Sequence, residues 1–201
     1  MHRASVPLDP ETLLSAYAQG AFPMADRDRT VRWYTADPRG VFPLDDRFHI
    51  PRTLRQIVNQ GKFEIRINHD FPATMRACMQ VPRNERGGTW ISEELIAAYS
   101  RLHELGFAHS VECWHKGELA GGLYGVSLGA AFFGESMFHV APNASKVALV
   151  HLVERLRERG YELLDTQAST EHLRQFGCID VPAREYLNLL RMALQKKCEF
   201  A

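Results

Sequence analysis

Three consecutive segments, residues 109–114, 119–126 and 130–138, constrain the fold of this chain more than any other stretch. Each carries aromatic residues among small or apolar ones and is short enough to be a strand. The first two are separated by Lys116-Gly117, a dipeptide suited to a two-residue hairpin. An antiparallel three-stranded unit is therefore predicted, and a sheet of that kind needs other elements to cover it.

The flanking sequence supplies them. A short helix is predicted over 10–19, with Asp9 as N-cap, Pro10 at the first helical position and Gly20 closing the end. Residues 21–46 lose periodicity at Phe22-Pro23, Asp37-Pro38 and Phe42-Pro43, and read as irregular. A strand follows over 63–68, then helices over 71–80 and 92–105. The second helix carries Leu95, Ile96, Tyr99, Leu102 and Leu105 on one face, capped by Ser92 and ended at Gly106. Beyond the three strands, a helix from Asn143 or Ser145 to Arg159 buries Leu149, Leu152, Val153 and Leu156. It leads to a strand over 162–167 and to helices over 170–176 and 183–196. The expected class is α+β with a mixed sheet, divided into a small N-terminal domain, 1–40, and a second domain, 41–201.

Composition narrows the function classes. Lys+Arg and Asp+Glu both number 24, so net charge is silent about a polyanionic partner. The distribution is uneven: residues 47–86 hold eight of the cations against only Glu64, Asp70 and Glu85. That stretch fits either a nucleic-acid contact or a solvated basic face. The four cysteines have no CxxC spacing, the start does not resemble a signal peptide and no transmembrane span is present. A reducing cytoplasm and no membrane partner are expected. The nine histidines form no HxH or HExxH pair, so no metal is expected.

Chemistry concentrates in Gly134-Glu135-Ser136-Met137-Phe138 and, one helix later, Asp165-Thr166-Gln167. Two carboxylates and an amide stand on neighbouring strand ends beside an apolar floor, with no Cys, Ser-His or metal machinery. This set suits amine chemistry on a substrate activated elsewhere. If 162–167 is a regular strand, Asp165 and Gln167 point to the same face.

The element order is similar to that of the acyltransferase fold shared by the GNAT superfamily of N-acetyltransferases. The local sequence is more specific. Ala16-Tyr17, Gly20-Ala21-Phe22-Pro23, Trp33 with Asp37-Pro38-Arg39, Gly88-Thr89-Trp90-Ile91, Leu102-His103-Glu104-Leu105-Gly106, Tyr124-Gly125-Val126, Gly134 to Phe138, Asn143-Ala144-Ser145-Lys146, Asp165, Gln167 and Tyr186-Leu187-Asn188 together resemble the leucyl/phenylalanyl-tRNA-protein transferase family. The resemblance runs from about residue 12 to 190. Met24 stands where a Trp is usual in that family, and Lys62 alone stands where a denser basic cluster is common.

The resemblance implies transfer of Leu or Phe, with Met a further donor, from charged tRNA to the N-terminal α-amine of proteins beginning with Arg or Lys. This is peptide-bond formation in an N-degron pathway. Gln167 would hydrogen-bond the attacking amine while Asp165 orients that amide; an ordinary strand-end turn is the alternative. Glu135 would hold the cationic acceptor end or satisfy backbone donors. Leu123, Phe132, Met137, Leu152 and Leu164 would form the donor's apolar recess or simply core. Trp90 would stack on the terminal adenine or be a buried structural residue. Lys146 and Lys62 would meet nucleic-acid phosphates, and a solvated lysine beside a plain helix cap is the alternative for Lys146. The Gly-rich loop of coenzyme A-dependent enzymes is absent from 143–146, so no cofactor is expected. A coenzyme A-dependent N-acyltransferase and a noncatalytic RNA-binding relative are the rival readings.

Overall fold

The computed structural model describes residues 7–26, 28, 30–81 and 89–201. Gly88 of the Thr89-Trp90 motif, and Arg83, Glu85 and Arg86 of the basic stretch, lie outside the described residues.

Helix α1 (Pro10–Ala18) starts as expected: the Asp9 carboxylate accepts from the Thr12 backbone N–H at 2.9 Å, Pro10 stands at its first position, and Leu13 and Tyr17 face inward. The stretch behind it, expected to be irregular, holds three strands of four residues each. β1 (Phe22–Ala25) and β2 (Val31–Tyr34) form a small antiparallel hairpin, and β3 (Arg39–Phe42) enters the main sheet. Strands this short, punctuated by prolines, give no period to read. Helix α2 (Arg52–Asn59) was not expected either, although Leu54, Ile57 and Val58 have helical spacing and pack toward the core.

The remainder follows the sequence closely, except that the strand Ile179–Val181 was not expected. β4 (Glu64–Ile67) precedes α3 (Phe71–Met79) and α4 (Glu93–Glu104), whose N-termini are capped by Asp70 and Ser92. β5 (Ala108–His115) and β6 (Glu118–Leu128) meet at Lys116-Gly117, where both residues have positive φ, 53° and 82°. That is the conformation a tight hairpin of this hand demands. Then come β7 (Ala131–His139), α5 (Ala144–Glu158), β8 (Leu163–Gln167), α6 (Glu171–Arg174), the three-residue β9 (Ile179–Val181) and α7 (Ala183–Leu194).

The main sheet runs β4-β5-β6-β7-β8-β3-β9. All neighbours are antiparallel except β7 and β8, which are parallel and joined through α5. Side chains alternate between the two faces. Leu13, Tyr17, Phe71, Tyr99, Tyr124 and Tyr186 fill one core, with α1, α3, α4 and α7 covering it. Phe42, Leu54, Leu123, Leu152, Leu164 and Phe200 fill the other, under α2 and α5. The class is therefore α+β with a mixed sheet, as the sequence implied.

One feature of this sheet makes room for a site. β7 and β8 pair only at Ala131↔Leu163, Phe132↔Leu164 and Phe133↔Asp165. Past that point β7 continues against β6 alone, while β8 continues against β3. The two parallel strands therefore part company, and a cleft opens between residues 134–137 and 166–168.

Candidate active site

Both strands that border the cleft are bulged at its mouth. In the β6–β7 ladder Tyr124 pairs with Ser136 and the next residue, Gly125, pairs with Gly134, so Glu135 is the extra residue. In the β3–β8 ladder Val41 pairs with Asp165 and Gly40 with Gln167, which leaves Thr166 unpaired. A bulge turns side chains away from strict alternation. Gly125 is needed at the first one, because a Cβ there would stand 2.3 Å from the Phe133 carbonyl oxygen. At the second, Gln167 takes a left-handed φ of 58°.

The bulges explain where the expected polar residues go. Asp165 and Gln167 do not share a face: Asp165 is fully buried, whereas Gln167 lines the cleft. Asp165 reaches Gln167 through the backbone, its Oδ1 accepting from the Gln167 N–H at 2.8 Å. The Gln167 side-chain amide is held instead by Glu135, Nε2 donating to Oε1 at 3.1 Å. Glu135 Oε1 also accepts from the Tyr17 hydroxyl at 2.8 Å, and the Tyr17 hydroxyl is bonded in turn to that of Tyr99.

Electrostatics follow from that placement. Burial, reinforced by the nearby Asp165 charge, pushes the Glu135 carboxyl up to about 8, while the bonds from Tyr17 and Gln167 and the charge of Arg39 resist the rise. Burial and the Glu135 charge raise both Tyr17 and Tyr99 well above the usual phenol range, so they stay protonated donors. A carboxyl held in this way near neutrality gives up its proton when a cation comes within about 4 to 6 Å. It can therefore seat an ammonium group or exchange a proton with one.

Asp165 is paired with Arg39, a residue 1% exposed. Nε and Nη2 of Arg39 donate to the two carboxylate oxygens at 2.9 and 2.6 Å, and the Tyr186 hydroxyl donates to Oδ2 at 2.7 Å.

The cleft widens into a recess of about 740 Å³. Its walls are apolar: Phe22 and Met24 from β1, Phe42 from β3, Leu123 from β6, Met137 from β7, Leu149 and Leu152 from α5, Leu164 from β8, and the half-buried Trp90. The polar residues of its lining are Glu135, Ser136, Thr166, Gln167, Thr170 and His172, with Glu135 and Gln167 bonded to each other. Such a recess takes an apolar side chain and offers hydrogen-bonding groups to whatever is attached to it.

Of the apolar residues expected there, Leu123, Met137, Leu152 and Leu164 line the recess. Phe132 does not: its ring lies behind the wall, stacked on Phe200 at 5.1 Å. Trp90 and Glu135 line the recess as well. Lys62 is exposed, with Nζ 5.6 Å from the centre of the Phe63 ring, and does not reach the recess. Lys146 stands in the first turn of α5, outside the lining but near it. After burial, its charge and that of His139 lower the pKa of His172 at the rim. Asn143, just before α5, has a left-handed φ of 68° and makes no side-chain cap bond. Among the described residues no group of three or more His, Cys, Asp or Glu is arranged to hold a metal, and no helix is long and apolar enough to cross a membrane.

Sequence reasoning missed Tyr17, Tyr99, Arg39 and Tyr186. Tyr99 has the apolar-face spacing of its helix and looks like ordinary core. Tyr17, Arg39 and Tyr186 stand inside the motifs that carry the resemblance, but only their partners reveal what they do.

Residues 41–191 match the family described as leucyl/phenylalanyl-tRNA protein transferase, and residues 7–37 match the family described as its N-terminal domain. The chain is similar to proteins named leucyl/phenylalanyl-tRNA–protein transferase. That of Akkermansia muciniphila is 52% identical over 191 residues, covering 94% of this chain and 98% of the relative. That of Gloeobacter violaceus is 53% identical over 196 residues, covering 97% and 98%. Among solved structures, the L-PGS of Bacillus licheniformis aligns with a TM-score of 0.46 at 15% identity, over 81% of this chain and only 52% of that one.

Proposed function

The chain belongs to the leucyl/phenylalanyl-tRNA–protein transferase family, a family of aminoacyltransferases, and we propose that it moves Leu or Phe from charged tRNA to the N-terminal α-amine of proteins beginning with Arg or Lys. Met is a further donor. The setting is the cytoplasm and the product a marked N-terminus in an N-degron pathway. The observation that carries this reading is the raised carboxyl of Glu135 bonded to the Gln167 amide in the wall of an apolar recess.

An aminoacyl ester is already activated, so the protein has to orient an amine against it and handle protons. The donor side chain enters the recess between Leu123, Met137, Leu152 and Leu164, and Trp90 stacks on the terminal adenine, a contact typically worth about 1 to 3 kcal/mol. The acceptor arrives as an ammonium group and is seated against Glu135. One proton passes to Glu135 or to solvent, and the freed amine, positioned by Gln167, attacks the ester carbonyl carbon. The bond from that carbon to the ribose oxygen breaks, and the second proton released from nitrogen ends on that oxygen.

Proton loss is within reach for this acceptor: an α-amine has a pKa of about 7.7 to 8.0, against about 10.4 for a lysine side chain. The site thereby favours chain termini over lysines without a strong base. Asp165 touches no substrate in this reading and serves to position Gln167. Lys146 meets a phosphate next to the recess and Lys62 one further along the tRNA. The small N-terminal domain, 1–40, closes the recess with Phe22 and Met24 over the acyltransferase domain, 41–201.

The test is to incubate the protein with labelled Leu-, Phe- and Met-tRNA and with peptides beginning Arg, Lys, Asp or Ala. Labelled product from Leu- or Phe-tRNA with Arg or Lys peptides is expected. No product with any peptide overturns the reading, and acetyl transfer from acetyl coenzyme A without tRNA would install its rival.

A further inference from the structure

The buried pair beneath the cleft has a geometry that stability does not require. Arg39 and Asp165 are 1% and 0% exposed, and replacing a buried ion pair by apolar residues of similar size is commonly neutral or stabilising. What the pair provides is direction. All three guanidinium nitrogens are used: Nε and Nη2 on Asp165, and Nη1 on the Gly20 carbonyl oxygen at 2.9 Å. The guanidinium carbon stands over the rings of Phe22 and Tyr186, 4.9 and 4.5 Å from their centres. Burial opposes the charge, but the bonds and attraction from Asp165 outweigh it and raise the Arg39 pKa, so the cation is kept.

Asp165 is consequently saturated. Its Oδ2 accepts from Arg39 and Tyr186, and its Oδ1 from Arg39 and from the backbone N–H of Gln167. No oxygen of it is directed at the Gln167 side chain. Besides the effect of its charge on Glu135, it meets the cleft through its hydrogen bond to the Gln167 backbone, at the residue whose left-handed φ ends β8 and turns the amide toward Glu135.

We propose that Arg39 is a positioning residue for the transfer reaction: by holding Asp165 rigid, it fixes the kink at Gln167 that aims the amide into the cleft. This rests on the reading that Gln167 meets the acceptor amine. Fixing a carboxylate on two oxygens in one plane is what a guanidinium fork does, and a lysine ammonium, a point charge on a flexible stem, does not. The Gly20 bond and the Phe22 ring anchor the fork to the N-terminal segment, so the kink is referenced to the wall of the donor recess.

Arg39→Lys and Arg39→Met test it by steady-state kinetics with Leu-tRNA and an Arg-initiated peptide, alongside thermal melts. The expected result for Arg39→Lys is a folded protein whose kcat falls at least about tenfold, equivalent to about 1.4 kcal/mol in the barrier, with KM for Leu-tRNA changed by less than about threefold. A folded variant with near-normal kcat, or a loss confined to KM, overturns the proposal. Arg39→Met leaves Asp165 unpaired and is expected to lose stability as well as kcat. Should neither variant fold, the wild-type protein still decides. Its Gln167 amide proton should be shifted downfield by NMR and exchange slowly with solvent, and a fast-exchanging amide in the usual range overturns the proposal. Absence of any transfer by wild-type protein instead removes the functional reading, and the amide measurement remains independent of it.

Discussion

At the scale of single residues, Glu135 shows how position overrides residue type. The same carboxyl on a regular strand would be an ordinary solvated acid. As the extra residue of a bulge it is turned into the cleft, where burial and the Asp165 charge push it up to about 8. The folded chain then binds this proton more tightly than the unfolded chain, whose carboxyl stays near 4.5. The stability it contributes is complete below pH 4.5 and is lost as pH rises through 8. Glu135→Gln should therefore raise the melting temperature relative to wild type at pH 8 and change it little at pH 4.5. A gain that is the same at both ends would mean an ordinary carboxyl. Of the residues around it, Glu135, Gln167 and Asp165 stood out in the sequence, because carboxylates and amides at apolar strand ends are unusual. Tyr17 and Tyr99 did not, because an aromatic on an apolar helix face is ordinary core until its hydroxyl meets a partner.

At the scale of elements, the helices with chemical end signals were legible and the short strands, β4 excepted, were not. Asp9, Asp70 and Ser92 each cap a helix through a side-chain oxygen, and each is a local signal. β1, β2, β3 and β9 span four residues or fewer. Over so short a length alternation cannot be told from chance, and it is long-range pairing that makes them strands. The bulges belong to the same class: an inserted residue exists only relative to a partner strand. Gly125→Ala probes the one that places Glu135. A Cβ there meets the Phe133 carbonyl oxygen at 2.3 Å and the Phe132 ring at 2.5 Å, and both are held in the core. A stability loss of about 1 to 3 kcal/mol is expected, together with a fall in transfer rate under conditions where the variant remains folded. Melts and rates unchanged from wild type would mean that the ladder needs no glycine there.

At the scale of the whole molecule, the recess is a product of divergence. Its floor comes from β6, β7, β8 and α5, and its outer wall from β1, far earlier in the chain. Selectivity among donors should then depend on volume. One methylene more or less is worth about 1 to 3 kcal/mol in such a pocket. Leu152→Phe narrows it and should lower kcat/KM for Phe-tRNA at least about tenfold more than for Leu-tRNA. An unchanged ratio would place the donor side chain elsewhere.

What the sequence determined by itself was local: every helix but α2, the caps at Asp9 and Ser92, the tight turn at Lys116-Gly117, the apolar faces and the two motifs that border the cleft. Those properties arise from backbone preferences and side-chain spacing within a few residues. Only the tertiary structure decided that Phe132 stands behind the recess, that Asp165 belongs to Arg39, and that Glu135 holds Gln167. The residues of these contacts lie far apart in the chain, 126 positions for Arg39 and Asp165 and 118 for Tyr17 and Glu135. Their geometry follows from sheet register and from the divergence of two parallel strands, and neither is encoded in any window of neighbouring residues.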